Sequence, residues 1–179
     1  MESRLKLAGH PIHPMLIVLP LGLLATGLLF DVAYLLSGDT VFSEVSFWTI
    51  TVGIIGGLLA ALFGLIDWLA IPKGTRAKRI GLYHGVGNVV IVLLFLVSWF
   101  LRLPRHAYAP DALPFLLALV AVGGALVTAW LGGELVFRLR VGVDEDGGLD
   151  ASSALERDGF VSGHRPSRAA GLPGSRPSS

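Results

Sequence analysis

The chain has 179 residues, 53% of them hydrophobic and only 15% charged, which excludes an ordinary soluble domain and indicates a membrane protein. Its formal net charge is +1, and the basic residues lie between apolar runs and in the tail, so nucleic acid is not expected as a partner. No cysteine is present, which excludes disulfides, iron–sulfur clusters and thiolate metal sites.

Four apolar runs are each long enough to cross a bilayer core of roughly 30 Å as a helix. They comprise residues 15–36, 47–71, 80–101 and 112–137. Helices satisfy their own backbone groups in lipid, and four runs are too few for a closed barrel, so we predict an all-α membrane protein. Because the connections are short, we expect an antiparallel four-helix transmembrane bundle over residues 1–143.

The first run follows two histidine–proline pairs, His10-Pro11 and His13-Pro14. A residue before proline disfavours helical backbone, so we expect both histidines outside the helix and Pro14 in its first turn. In a polyproline-like segment the imidazoles would share one edge, with Cα atoms about 9 Å apart. They could then converge on one ligand, or cap the helix and contact lipid headgroups.

Polar residues in the later runs occur on faces rich in small residues. The second run has a stripe of small residues that leads to Asp67, comprising Gly53, Gly57, Ala60 and Gly64. Small residues let helices approach closely, and a carboxylate facing lipid costs about 2.5–3.5 kcal/mol near the bilayer centre, so Asp67 should face a neighbouring helix. His84 and Asn88 share one face of the third run, and Glu134 ends a similar face of the fourth.

The distribution of basic residues predicts that both termini lie in the cytoplasm, with the chain in the plasma membrane. The residues on that side are Arg4, Lys6, Lys73, Arg76, Lys78, Arg79, Arg138 and Arg140, against Arg102 and Arg105 on the other. We expect the loop of residues 73–79 to contact anionic headgroups. Residues 144–179 are rich in polar residues, glycine and proline, so we predict a disordered cytoplasmic tail.

With this topology, His13, His84, Asp67 and Glu134 should lie at one depth near the cytoplasmic face. Each helical hairpin then contributes a histidine followed by an acid, a crude twofold pattern compatible with a repeat about the membrane normal. Asp31 lies toward the opposite end, where we expect it to pair with a hydroxyl such as Thr51 or Ser98.

Four motifs occur at residues 10–16 (HPIHPML), 64–68 (GLIDW), 81–88 (GLYHGVGN) and 130–136 (WLGGELV). Together they resemble a family of small prokaryotic four-pass membrane proteins catalogued as domain of unknown function 2231. The resemblance covers roughly the first 143 residues and implies the four-helix fold but little chemistry. Similar proteins are sometimes joined to Rieske-type domains, which implies a redox role. Without cysteines, this chain would need a separate redox partner.

The leading functional hypothesis is a haem b or divalent-metal site at the cytoplasmic face. The cofactor-binding candidates are His13, His84, His10 and Asn88, and the metal-ligand candidates are His13, His84, Asp67 and Glu134. One alternative is a scaffold subunit of a membrane complex, in which the acids pair with Arg76, Arg79 or Arg138. Another is a small proton-coupled transporter, because ionisable groups within spans suggest a pathway. Four short helices leave little room for a cavity, so we expect such a transporter to be a homo-oligomer. No motif of a soluble enzyme is visible, which favours a non-enzymatic role.

Overall fold

A computed structural model describes residues 2–145 and 147–154 of the chain. Four helices in it are long and apolar enough to cross a membrane: Ile12–Ser37, Thr40–Ala70, Arg76–Arg102 and His106–Arg138. They confirm the prediction of a helical membrane protein with four spans. The tail predicted to be disordered, residues 144–179, lies mostly outside the described residues.

The first membrane helix is preceded by a small hairpin, in which strand β1 (Lys6–Leu7) pairs antiparallel with β2 (His10–Pro11). The helix itself has two segments, α1 (Ile12–Leu16) and α2 (Val18–Ser37). His10 is extended as predicted, but His13 lies inside α1, so the expectation of a polyproline-like segment through His13 is wrong. The proline that follows it is in the first turn, where a missing N–H removes no helical hydrogen bond.

Helices α3 and α4 each begin at a polar residue whose side chain caps the helix. Helix α3 (Thr40–Ala70) follows Asp39, whose carboxylate accepts from the Val41 N–H at 3.0 Å. Helix α4 (Arg76–Arg102) follows Thr75, whose hydroxyl accepts from the Lys78 N–H at 3.1 Å. Such caps satisfy N–H groups that have no partner within the helix. Helix α5 (Ala112–Gly133) follows a short 3₁₀ turn (His106–Tyr108) and ends in a π-helical turn (Glu134–Arg138).

Helices α1 to α3 form a first hairpin, and α4 with α5 forms a second. As the residue number rises along α2, the number of the residue that it contacts on α3 falls. The contacting pairs are Leu24 with Gly53, Gly27 with Ile50, and Asp31 with Ser46. The second hairpin shows the same order in Gly87 with Thr128, Ile91 with Gly124, and Ser98 with Pro114. We call the end of the bundle that contains His13 and His84 the histidine end, and the end that contains Asp31 and Arg102 the arginine end.

Between these two ends lies an apolar core to which both hairpins contribute. Its buried members are Leu24, Leu28, Ile50, Ile54, Ile91, Phe95, Ala118 and Ala121. Many other large apolar side chains face outward, as expected where the outer surface of the helices meets lipid.

At the arginine end, a buried ion pair joins the hairpins. Asp31 and Arg102 are both fully buried, and the two Nη atoms of Arg102 donate to the two Asp31 oxygens at 2.7 Å each. Ser46 donates to Asp31, and Ser98 accepts from Arg102 at 3.1 Å. Asp31 therefore has a hydroxyl partner, as predicted, but that hydroxyl belongs to Ser46. Of the two hydroxyls named from the sequence, Thr51 accepts from the Trp99 indole and Ser98 donates to the Pro114 carbonyl.

Replacing Asp31 by leucine should lower the free energy of unfolding by about 3–5 kcal/mol, because Arg102 would be left buried without its counter-ion. Thermal or SDS-induced unfolding in detergent measures this. Asp111→Leu is the matched control, since Asp111 pairs with Arg105 at the surface and its loss should cost at most about 1 kcal/mol. Equal effects of the two substitutions would contradict a structural role of the buried pair.

Candidate functional site

His13 is fixed against helix α3 by one hydrogen bond and one glycine. Its Nδ1 donates to the backbone carbonyl of Ala60 at 2.9 Å. The ring lies over Gly64, where a Cβ atom would come within 2.8 Å of Cε1 and 3.0 Å of Nδ1. Since a carbonyl only accepts, the proton is on Nδ1, and Nε2 of a neutral ring keeps its lone pair.

His84 is held against helix α5 in the same way. Its Nδ1 donates to the backbone carbonyl of Thr128 at 2.8 Å, and a Cβ atom on Gly132 would lie 3.1 Å from its Cε1. Its Nε2 accepts from the Asn88 amide at 3.1 Å. The Thr128 hydroxyl is 3.0 Å from the Asn88 amide oxygen and can donate to it, which holds the amide with its nitrogen toward His84. The Asn88 contact is the main difference between the two histidines.

The two imidazoles meet where the hairpins pack together. Their centroids are 6.5 Å apart and the ring planes cross at 89°. Both side chains are half-buried. The structure therefore brings His13, His84 and Asn88 together. Of the four residues expected to meet because of their depth, it is the two histidines that contact each other.

The carboxylates at this end have other partners. Asp67 accepts from the Ser3 hydroxyl at 2.7 Å and from the Arg4 N–H at 3.2 Å. Glu134 forms an ion pair with Arg76 at 2.7 Å. The Glu134–Arg76 pair is one of the pairings expected for a scaffold, whereas the partners of Asp67 are not among those expected.

His10, the remaining candidate, is exposed and its Nδ1 donates to the Ala8 carbonyl at 3.0 Å. Within the described part of the chain, no group of three or more histidine and acidic side chains is placed to hold a metal ion. The site is thus centred on two imidazoles and an amide.

Sequence reasoning missed the groups that orient the imidazoles. The carbonyls of Ala60 and Thr128 have no sequence signature, because every residue has a carbonyl. Gly64 and Gly132 each occur four residues after the accepting carbonyl, so the ring spans one turn of the facing helix. In the sequence, these ring positions are marked only by a glycine that follows a small residue after four positions.

Four membrane-length helices with a histidine pair between the hairpins define a small multi-pass membrane protein. A family described as predicted membrane protein (DUF2231) matches residues 9–145, and the chain belongs to this family. This confirms the resemblance seen in the four motifs. No curated protein and no solved structure matches the chain significantly.

Gly64→Ala should move the His13 ring and weaken its hydrogen bond to Ala60, because the new methyl group would overlap the imidazole. We expect a loss of about 1–3 kcal/mol in the free energy of unfolding, measured in detergent. Gly85→Ala is the control, since no atom lies within 4 Å of a Cβ there and alanine favours a helix. If Gly64→Ala is as stable as Gly85→Ala, the ring is not held as described.

Proposed function

We propose that His13 and His84 together bind one metal centre, either the iron of a haem or a single transition-metal ion. The observation that carries this proposal is the matched pair of Nδ1 hydrogen bonds to backbone carbonyls. Histidines that ligate metals usually donate their other N–H to a carbonyl or carboxylate, which fixes the tautomer and the ring orientation. Imidazole is a common ligand of haem iron, copper and zinc.

The two rings lie close together between the hairpins. Their centroids are 6.5 Å apart, and each ring is held in place by its Nδ1 hydrogen bond. His13 and His84 would therefore hold the metal centre from opposite hairpins, and imidazole nitrogen suits both haem iron and a single transition-metal ion.

Asn88 would have to release His84 Nε2 before that atom could act as a ligand. The Asn88 side chain is held by Thr128, so the site in this form has one imidazole engaged at both nitrogens and one engaged at Nδ1. A bound haem or redox-active ion would supply one-electron transfer, which agrees with a redox partner at the membrane surface.

A scaffold role is the second candidate, and a specific observation favours it. Asp67 accepts hydrogen bonds from Ser3 and Arg4, and Glu134 pairs with Arg76. Each acid therefore links its own helix to another segment of the chain and can stabilise the fold. On this alternative the histidines are also only structural, and their loss would cost stability without removing any bound group.

We also propose that the chain lies in the plasma membrane with its histidine end facing the cytoplasm. Lys73, Arg76 and Arg79 are exposed there and would contact anionic headgroups, with about 1 kcal/mol per basic residue near the surface.

Protein expressed in cells supplied with iron and a haem precursor, and purified in detergent, should carry a visible absorption spectrum or stoichiometric metal. His13→Ala and His84→Ala should each abolish or strongly reduce it, because the proposed centre draws a ligand from both imidazoles. Absorbance and elemental analysis measure the bound group, and circular dichroism verifies folding.

His10→Ala is the matched control, since His10 is exposed and bonded only to its own hairpin. It should keep the full amount of the bound group. A folded, colourless and metal-free wild-type protein would contradict the metal centre and leave the scaffold role.

A further inference from the structure

Key residues of the two hairpins recur at fixed separations. On the first helix of each hairpin, Asp31 and Arg102 are 71 positions apart. His84 likewise follows His13 by 71 positions, and the core residue Phe95 follows the core residue Leu24 by 71. On the second helix of each hairpin, a separation of 68 positions joins Ala60 to Thr128, Gly64 to Gly132, and Gly56 to Gly124. Beyond these helices, the same separation joins Gly74 to Gly142.

The residues paired in this way make the same contacts. Each histidine donates to the carbonyl of one residue and lies over the glycine four positions later. A Cβ atom on Gly56 would lie 3.4 Å from Pro20, and one on Gly124 would lie 3.4 Å from Ile91, the residue 71 positions after Pro20. The matching also extends to the backbone beyond the second helices, because Gly74 and Gly142 have φ of 80° and 78°.

We infer that residues 9–74 and 80–142 are equivalent modules related by a pseudo-twofold axis along the bundle, and that each module's inner face is a docking surface for the other. A side chain that contacts its own counterpart lies on a twofold axis. His13 with His84, and Asp31 with Arg102, are two such contacts. They are separated by 18 residues on each helix, or about 27 Å, which defines the direction of the axis.

The equivalence corrects the simpler twofold pattern of a histidine followed by an acid in each hairpin. Under the separation of 68, Asp67 corresponds to Leu135 and Glu134 to Ile66. The two acids are therefore out of register by one residue, which agrees with their different partners.

The pair at the arginine end makes the docking selective. If two copies of the first module met in this way, two Asp31 carboxylates would face each other on the axis. Two copies of the second module would bring two Arg102 guanidinium groups together. Buried like charges are strongly unfavourable, so each module accepts the other and rejects a copy of itself.

Cysteine cross-linking in the full chain tests the axis, and the chain offers a cysteine-free background. A Cβ atom on Gly57 would lie 3.4 Å from the side chain of Val92, so Gly57→Cys with Val92→Cys should form a disulfide on mild oxidation. The axis places the equivalent residues, Ala125 and Leu21, in the same relation. Ala125→Cys with Leu21→Cys should therefore form a disulfide to a similar extent.

Leu21→Cys with Leu126→Cys is the matched control, because Leu126 is the next residue and is 68% exposed. This pair should not cross-link. The axis is overturned if Gly57→Cys with Val92→Cys reacts while Ala125→Cys with Leu21→Cys reacts no more than the control.

Exchange of the charges tests selectivity independently. Asp31→Arg and Arg102→Asp each place like charges on the axis and should lower the thermal midpoint by about 10 °C or more. The double variant Asp31→Arg with Arg102→Asp restores an ion pair between equivalent positions and should regain most of that loss. A double variant no more stable than either single one overturns the selective role. Both experiments are independent of any metal centre, so their failure is distinguishable from failure of the proposed function.

Discussion

A carboxylate and a guanidinium, both withdrawn from solvent, connect all four membrane helices at the arginine end. Asp31 comes from α2 and Arg102 from α4, while Ser46 adds α3 and Ser98 donates to the Pro114 carbonyl of α5. In lipid, helices gain little from apolar contact alone, so close packing and polar bonds determine which faces meet. The apolar core is compatible with several rotations of each helix. The fixed geometry of a bidentate pair is compatible with far fewer.

The number and kind of elements could be predicted because a membrane demands long apolar helices, and such runs are visible without any contact information. The pairing of Arg102 could not be predicted from the sequence. A basic residue at the end of an apolar run has the same pattern whether it turns toward the headgroups or into the bundle. Only the partner decides, and Asp31 is far away in sequence. His13 was misread because the extended backbone that proline favours in the preceding residue is only a preference, and here His13 is helical and bonded to the Ala60 carbonyl.

At the histidine end, the positions of the polar residues along their helices could be predicted, but their hydrogen-bond partners could not. Depth follows from span boundaries, so His13 and His84 were expected to lie together. The partner of Asp67 is Ser3, which precedes every apolar run and belongs to no periodic pattern. The acids and the histidines lie at the same end of the bundle but do not contact each other. Position along the bundle axis leaves the two lateral coordinates of a side chain undetermined. The lateral position depends on helix rotation, which the glycines under each imidazole help to set.

Helix α3 contains 31 residues and is therefore about 46 Å long, well beyond a hydrocarbon core of roughly 30 Å. Such a helix must tilt or extend its ends into the headgroup layers. The residues of its first turns include Ser43, whose hydroxyl donates to the Ala107 carbonyl in the segment before α5. This bond ties the two hairpins beyond the apolar core, so the first turns of α3 and the segment that leads into α5 are joined in one packed layer at the arginine end.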